Sequence, residues 1–474
     1  MDQSHHQEIE STTNKADPRH PFQICNQIQI HEEKCSPFLT VLDAPQLRDD
    51  FYCSLLAYSR TTHSLAVGLH NRVYIWSEQH GVQPMTPFPS STSYLTSLSF
   101  SSAEGGNSIL AIGRADGQIS LWSMFEESCR FEAKQPRGIA CLSFKPTTTR
   151  RRSERDPPLF PTVDTEQLLV GDEAGNIYLY SIEWSDDMDH ANNAWHGAMV
   201  LLAKITVHTQ QVCGLAWSVD GEYFATGGND NVCALFEAKT VVKNREQFET
   251  YPGPHPEQEI QYQEGFVHRR VIPGRGGVDI LGNGTEKHRW IHGAAVKAIA
   301  FCPWQRGIVA TGGGSNDRCI HFFHTFSGAC LATINVFAQV TSLIWSTTRR
   351  EIAATFGYAQ PDHPYRIGVF SWPDCKQIVA IPWAVDMRAL SAIAYPGGPD
   401  EAGGRRAGRE GGLWGSRTAE EGCIVVASSD ESVKFHEIWS AARNSTSGIQ
   451  GLLGGSDILE ELEGIEKEGE EVIR

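Results

Sequence analysis

Four aspartates, Asp116, Asp230, Asp317 and Asp430, each stand just ahead of a short run in which large apolar and small side chains alternate. Histidines accompany them: His208 and His292 precede the segments holding Asp230 and Asp317, and His321 and His324 flank the end of the run after Asp317. Such residues can activate a nucleophile, hold a metal, or satisfy the backbone donors of a turn. Repetition favours the third role, since a catalytic group occurs once whereas a turn group recurs. The histidines read as structural too, with no cysteine or carboxylate at ligand spacing beside them. No G-x-x-x-x-G-K-[ST], H-E-x-x-H or G-x-S-x-G occurs. No catalytic residue, metal or cofactor is therefore expected, and a residue that departs from the repeat is a better functional candidate than one that keeps it.

The elements that position these residues are clearest from His292 to Phe323, HGAAVKAIAFCPWQRGIVATGGGSNDRCIHFF. Ala295 to Pro303 has the period of a half-buried strand and stops at a proline; Ile308 to Ala310 is a second strand. Thr311-Gly312-Gly313-Gly314 reads as a tight glycine turn, Ser315 to Asp317 as turn chemistry, and Cys319 to Phe323 as a third strand. The pattern recurs seven times, ending on Trp76, Trp122, Tyr180, Phe236, Phe323, Phe370 and Trp439. Trp76 to Trp122 spans 46 residues and Phe323 to Phe370 spans 47, close to the roughly 40–45 of a four-stranded WD-type blade. The fold class is thus all-β, a seven-bladed WD-repeat β-propeller closed into a ring without free sheet edges.

Residues 1–36 read as a disordered segment, 37–440 as the propeller, and 441–474 as an acidic tail ending in Ile473-Arg474. Pro37 to Pro45 reads as an extended strap leading into the first blade. Stretches near 147–166, 240–290 and 396–422 have the composition of long loop insertions. The run Arg150-Arg151-Arg152 in the first is either a solvated loop or a localisation or phosphate patch.

With 40 basic and 57 acidic residues, the net charge of −17 argues against a broad nucleic-acid or anionic-membrane surface and suits basic peptides. The first residues lack the basic start and apolar core of a secretory signal, and no apolar run approaches the length of a membrane span. Twelve cysteines are scattered without a C-x-x-C pair, as expected of free thiols in the reducing nucleus or cytoplasm.

Leu42-Asp43-Ala44-Pro45, Asp49-Asp50-Phe51-Tyr52, Gly227 to Asn231, His292 to Ala298, Cys302 to Gln305, Ala310 to Gly314 and Ser327 to Leu331 occur in that order. Together they resemble the fizzy and fizzy-related proteins, seven-bladed propellers that activate the anaphase-promoting complex, a ubiquitin ligase, and present substrates to it. The long insertions and divergent blades resemble the fungal meiosis-specific branch. The resemblance implies a non-enzymatic substrate receptor for degron-bearing proteins such as cyclins or securin. It implies a destruction-box (Arg-x-x-Leu) site between first and last blades, at Leu42, Asp43 and Glu431. Two carboxylates would hold the guanidinium, and Leu42 would offer apolar surface. It also implies a Lys-Glu-Asn (KEN-box) site on the top face, at Asp50, Asn229, Asn231, Ser315, Gln339 and Arg388, with Asp50 facing the ligand's lysine and Arg388 its glutamate. The residues alone leave Asp43, Asn229 and Asn231 equally readable as turn formers. The terminal Ile473-Arg474 matches the family's dipeptide that docks into a tetratricopeptide-repeat subunit of the ligase. The family's N-terminal Asp-Arg-(Phe/Tyr)-Ile-Pro motif has no convincing counterpart, Asp17-Pro18-Arg19-His20-Pro21 being a poor substitute. Either an upstream segment is lacking, or the chain is a passive scaffold or inhibitor that binds substrates without activating the ligase.

Overall fold

The structure is a computed structural model that describes residues 38–86, 92–155, 161–185, 195–242, 277–384, 386–396 and 423–439, with the backbone of short strand pieces in 260–273 and 465–466. The expected disorder of 1–36, most of the expected acidic tail, the Ile473-Arg474 terminus, and most of the insertions near 240–290 and 396–422 lie outside the described residues.

Apolar strands, many buried at every position, build seven sheets around four antiparallel strands each, the blades of a β-propeller. Blades 1 to 6 span 56–84, 95–134, 139–206, 212–291, 296–335 and 338–382. Blade 7 combines Ala389–Tyr395, Cys423–Ser428 and Ser432–Glu437 with Phe38–Asp43 from the other end of the chain. The strap is therefore the fourth strand of blade 7, pairing antiparallel with Ser432–Glu437 from Phe38 opposite His436 to Asp43 opposite Ser432.

Three strands per copy were evident in the sequence, and each blade has a fourth. In blade 5, Val296–Phe301, Ile308–Gly313 and Cys319–His324 are followed by Cys330–Asn335, four of whose six side chains are only partly buried. The second strand, buried at every position, carries the strongest apolar signal.

Two local expectations are corrected. Gly312 and Gly313 lie inside the second strand, not in a turn. A Cβ on Gly312 would stand 2.4 Å from Val340 in the first strand of blade 6, so its hydrogen lets the next blade approach. The same device recurs at Gly113 against Ile139, Gly171 against Val212 and Gly227 against the Val296 carbonyl oxygen, 2.2 Å from a Cβ there. Near 147–166, Thr149–Arg152 pairs with the long strand Thr162–Asp172, from Thr149 opposite Thr165 to Arg152 opposite Thr162. The arginine run is thus an exposed ribbon edge rather than a loop, because alternating side chains let Arg150 and Arg152 face solvent together.

Within the 240–290 insertion, Asp279–Gly282 pairs in parallel with Gly197–Thr206 of blade 3, and His288–Ile291 is the fourth strand of blade 4. The aromatic closing blade 7 is also shifted. Trp122, Phe236 and Phe323 stand six residues after their turn aspartates, a position held in blade 7 by His436, which stacks on Trp383 with centroids 5.6 Å apart. Trp439 lies beyond the strand and donates its indole N–H to Glu351, 2.9 Å away.

Candidate functional site

The turn aspartates anchor the ends of the blades. Asp230 accepts from the Thr209 backbone N–H at 2.9 Å and pairs with His208 Nδ1 at 3.0 Å, while His208 Nε2 meets Thr226 Oγ1 at 2.8 Å. Blade 3 has an equivalent that the sequence reading missed: Asp172 accepts the N–H groups of Ala174 and Asn176 and the Tyr178 hydroxyl. The residue after each of Asp116, Asp230, Asp317 and Asp430 is left-handed: Gly117 (φ 88°), Asn231 (φ 65°), Arg318 (φ 61°) and Glu431 (φ 58°). Glycine and asparagine tolerate that conformation; a glutamate there stores strain.

Glu431 and Asp43 lie side by side on blade 7. Asp43 is the last residue of the ring-closing strand, opposite Ser432, and both carboxylates are exposed. The turn is pinned by the Ala44 N–H donating to the Glu431 carbonyl at 2.7 Å and by the Gln46 N–H donating to Glu431 Oε2 at 3.2 Å. Two neighbouring exposed carboxylates suit a guanidinium. Leu42 does not join them. Strand alternation turns it inward, where it is wholly buried in the cluster joining blades 7 and 1, so it offers a ligand no apolar surface and instead fixes the position of Asp43.

The second group of candidates converges on the segment Arg48 to Cys53, which reaches four blades. Asp49 pairs with Arg388 ahead of blade 7. Phe51 packs edge-on against Tyr358 of blade 6, centroids 5.4 Å apart, and Arg388 lies over the same Tyr358 ring at 5.0 Å. The Tyr52 hydroxyl donates to Asn229 Oδ1 of blade 4 at 2.9 Å, and Asn229 Nδ2 reaches Gln210 at 3.1 Å. Lys297, from the innermost strand of blade 5, donates its ammonium to the carbonyls of Cys53 (3.0 Å) and Leu390 (3.1 Å). Protein surrounds that ammonium although part of the side chain keeps contact with solvent, and burial pulls its pKa down to about 8.

Asp50 is held by Arg48 Nε at 3.2 Å and by the Tyr52 N–H at 2.9 Å. Two polar atoms of this group make no hydrogen bond: the Gln339 Oε1 acceptor and the Arg388 Nε donor, both shielded. Gln339 and Phe51 crowd Gly357, where a Cβ would lie 2.8 Å from Gln339 Oε1 and 2.6 Å from the Phe51 ring. Asp50, Asn229, Gln339 and Arg388 are therefore tied to one segment. Asn231 and Ser315 stand on the equivalent turns of blades 4 and 5: Ser315 is exposed, and Asn231 has a turn role, its carbonyl accepting the His292 N–H at 2.9 Å. Asp49, Phe51, Tyr52 and Tyr358 are participants not singled out from sequence as binding residues. The run Asp49-Asp50-Phe51-Tyr52, with acids and aromatics adjoining outside any strand, was the available signal.

The expectation that no carboxylate or cysteine stands at ligand spacing beside the histidines fails at His321. Ligand-type atoms of Asp317, Cys319 and His321 all lie within 4.8 Å of one another.

The match to known proteins settles the family. The CDC20/Fizzy WD40 domain aligns with residues 42–400. The chain belongs to the CDC20/Fizzy family. It is 33% identical to "Meiotic fizzy-related protein 2" of Schizosaccharomyces pombe over 90% of this chain and 69% of that protein. It is 31% identical to "Meiosis-specific APC/C activator protein AMA1" of Saccharomyces cerevisiae over 90% of this chain and 62% of that one. It thus spans about two thirds of the length of these relatives, both of which are named as meiotic and the second as an activator. Its fold is similar to a chain in the crystal structure of a mitotic checkpoint complex, with TM-score 0.58, 26% identity, and coverage of 86% of this chain and 98% of that chain.

Proposed function

We propose that this CDC20/Fizzy-family propeller is a substrate receptor and activator of the anaphase-promoting complex, acting in the nucleus and cytoplasm and selecting proteins by destruction-box and Lys-Glu-Asn degrons, in meiosis as its relatives' names suggest. The observation that carries the reading is the pair of shielded, unpartnered groups, Gln339 Oε1 and Arg388 Nε, on a rim that also presents Asp50, Asn229 and Ser315. A buried polar atom without a partner is costly, so such a pair suits a ligand that brings both a donor and an acceptor. Arg388 would bind the degron's glutamate, exchanging its contact with Asp49, while Asp50 would hold the lysine. Asp43 and Glu431 would take the destruction-box arginine.

The test is the affinity of fluorescent Lys-Glu-Asn and Arg-x-x-Leu peptides for the full chain. Arg388→Ala is expected to weaken the first peptide by about tenfold or more and leave the second unchanged, a charge-assisted contact being worth roughly 1.5–3 kcal/mol. Asp43→Ala should do the reverse. Affinities indistinguishable from wild type would remove both sites. Deleting Ile473-Arg474 should reduce co-purification with the ligase. Stimulation of ubiquitination by the purified ligase separates an activator from a passive scaffold, which would bind the peptides and stimulate nothing.

A further inference from the structure

Blades 4 and 5 share a plan and diverge at one point. In blade 4, His208 bridges Thr226 and Asp230 through its two ring nitrogens, at 2.8 and 3.0 Å. In blade 5, His292 makes the matching contact to Thr311 at 2.8 Å, but its buried Nδ1 has no hydrogen-bond partner. Asp317, the counterpart of Asp230, is engaged by His321 Nε2 at 2.9 Å instead. Four residues past the turn aspartate, blade 4 has Ala234 where blade 5 has His321; two residues past it, blade 4 has Val232 where blade 5 has Cys319. Both departures lie on one face of the strand Cys319–His324, because side chains two apart point the same way. The His292 ring stands edge-on to the His321 ring, centroids 4.9 Å apart.

We propose that Asp317, Cys319 and His321 form a binding site for a divalent transition metal of the zinc type. Their ligand atoms lie within 4.8 Å of one another, and a tetrahedral zinc needs edges of about 3–4 Å, so modest side-chain closure completes the site without moving the strand. A thiolate, an imidazole and one carboxylate select zinc-like ions over magnesium or calcium, which take oxygen ligands. The outer contacts that orient metal ligands are in place: His321 Nδ1 is 3.0 Å from Thr333 Oγ1, and Asp317 Oδ2 accepts the Gly293 N–H at 2.6 Å. Metal entry displaces the proton between His321 and Asp317 and the proton of the Cys319 thiol, both released to solvent. A water fills the fourth position. The ion would fasten the turn that carries Ser315, two residues before Asp317, whether or not that turn touches a degron.

The experiment is titration of metal-stripped full chain with cobalt(II) and then zinc(II), followed by absorbance. One equivalent of cobalt(II) should give a thiolate-to-cobalt charge-transfer band that zinc(II) abolishes. Cys319→Ser should remove the band. His321→Ala, which installs the residue blade 4 uses and frees Asp317 for His292, should keep the circular dichroism of the wild type. It should also weaken binding by more than the roughly 10–100-fold that loss of an outer partner causes. Absence of a thiolate band, a band that survives Cys319→Ser, or equal binding by folded His321→Ala would overturn the proposal.

Discussion

Glu431 shows how one residue can reveal its role through its backbone. Blades 2 and 4 place Gly117 and Asn231 at the left-handed turn position, and blade 7 places a glutamate there. Its carboxylate accepts the Gln46 N–H, yet that bond at 3.2 Å is long for the strain it accompanies. Glu431→Asn is therefore expected to raise the stability of the propeller by about 1 kcal/mol in chemical denaturation while weakening an Arg-x-x-Leu peptide. A variant that is both less stable and equally good at binding would show that the glutamate is there for the fold. Only part of this chemistry is legible in the sequence. Asp43 and Glu431 can be named from the family pattern, but the inward turn of Leu42 depends on which face of its strand meets blade 1. The pairing of Arg388 with Asp49, far apart in the chain, depends on ring closure. Cys319 and His321 escape a search for helical or loop ligand spacings because their relation is that of alternate positions on a strand.

Between neighbouring blades, the second-strand glycines set the spacing. At Gly227 the obstacle to a side chain is backbone, the Val296 carbonyl at 2.2 Å from the Cβ position, whereas at Gly312 it is the Val340 side chain, whose Cγ1 at 2.4 Å can rotate away although its Cβ at 2.6 Å moves only with its strand. Gly227→Ala should thus destabilise by about 3 kcal/mol and Gly312→Ala by less, a ranking that thermal melts of the two variants can check. Equal and small shifts would mean that the blades slide apart freely. The same physics explains which strands the sequence exposes to a reader. Second and third strands are packed between neighbours and buried at most positions, so their runs of apolar residues make the copies legible in the sequence. Fourth strands such as Gly81–Pro84 are short and half-exposed, so little selects apolar residues there and they merge with the loops. The ribbon of Thr149–Arg152 on Thr162–Asp172 is hidden for a related reason: its arginines satisfy the strand period while looking like a charged loop.

For the molecule as a whole, closure rests on Phe38–Asp43 lying against Ser432–Glu437, and on Lys297 bonding carbonyls at the starts of blades 1 and 7 from blade 5. Removing residues 1–43 leaves Ser432–Glu437 paired with Cys423–Ser428 on one side only, and its other edge invites pairing with another chain. Concentration-dependent association by light scattering and a broadened unfolding transition are expected; a monomer with an unchanged sharp transition would show that the other six blades hold the ring by themselves. The strap also has a consequence in time. Phe38–Asp43, at one end of the propeller, is synthesised before the six blades that follow it, and its partner strand, at the other end, only after all six, so the contact that closes the ring is among the longest in the chain. Asp43 and Glu431 come from those two ends, and they meet only when translation has run through both. On the proposed reading, a chain interrupted before Glu431 has no carboxylate pair to offer a destruction box, so binding of an Arg-x-x-Leu peptide would report that blade 7 has been made and closed.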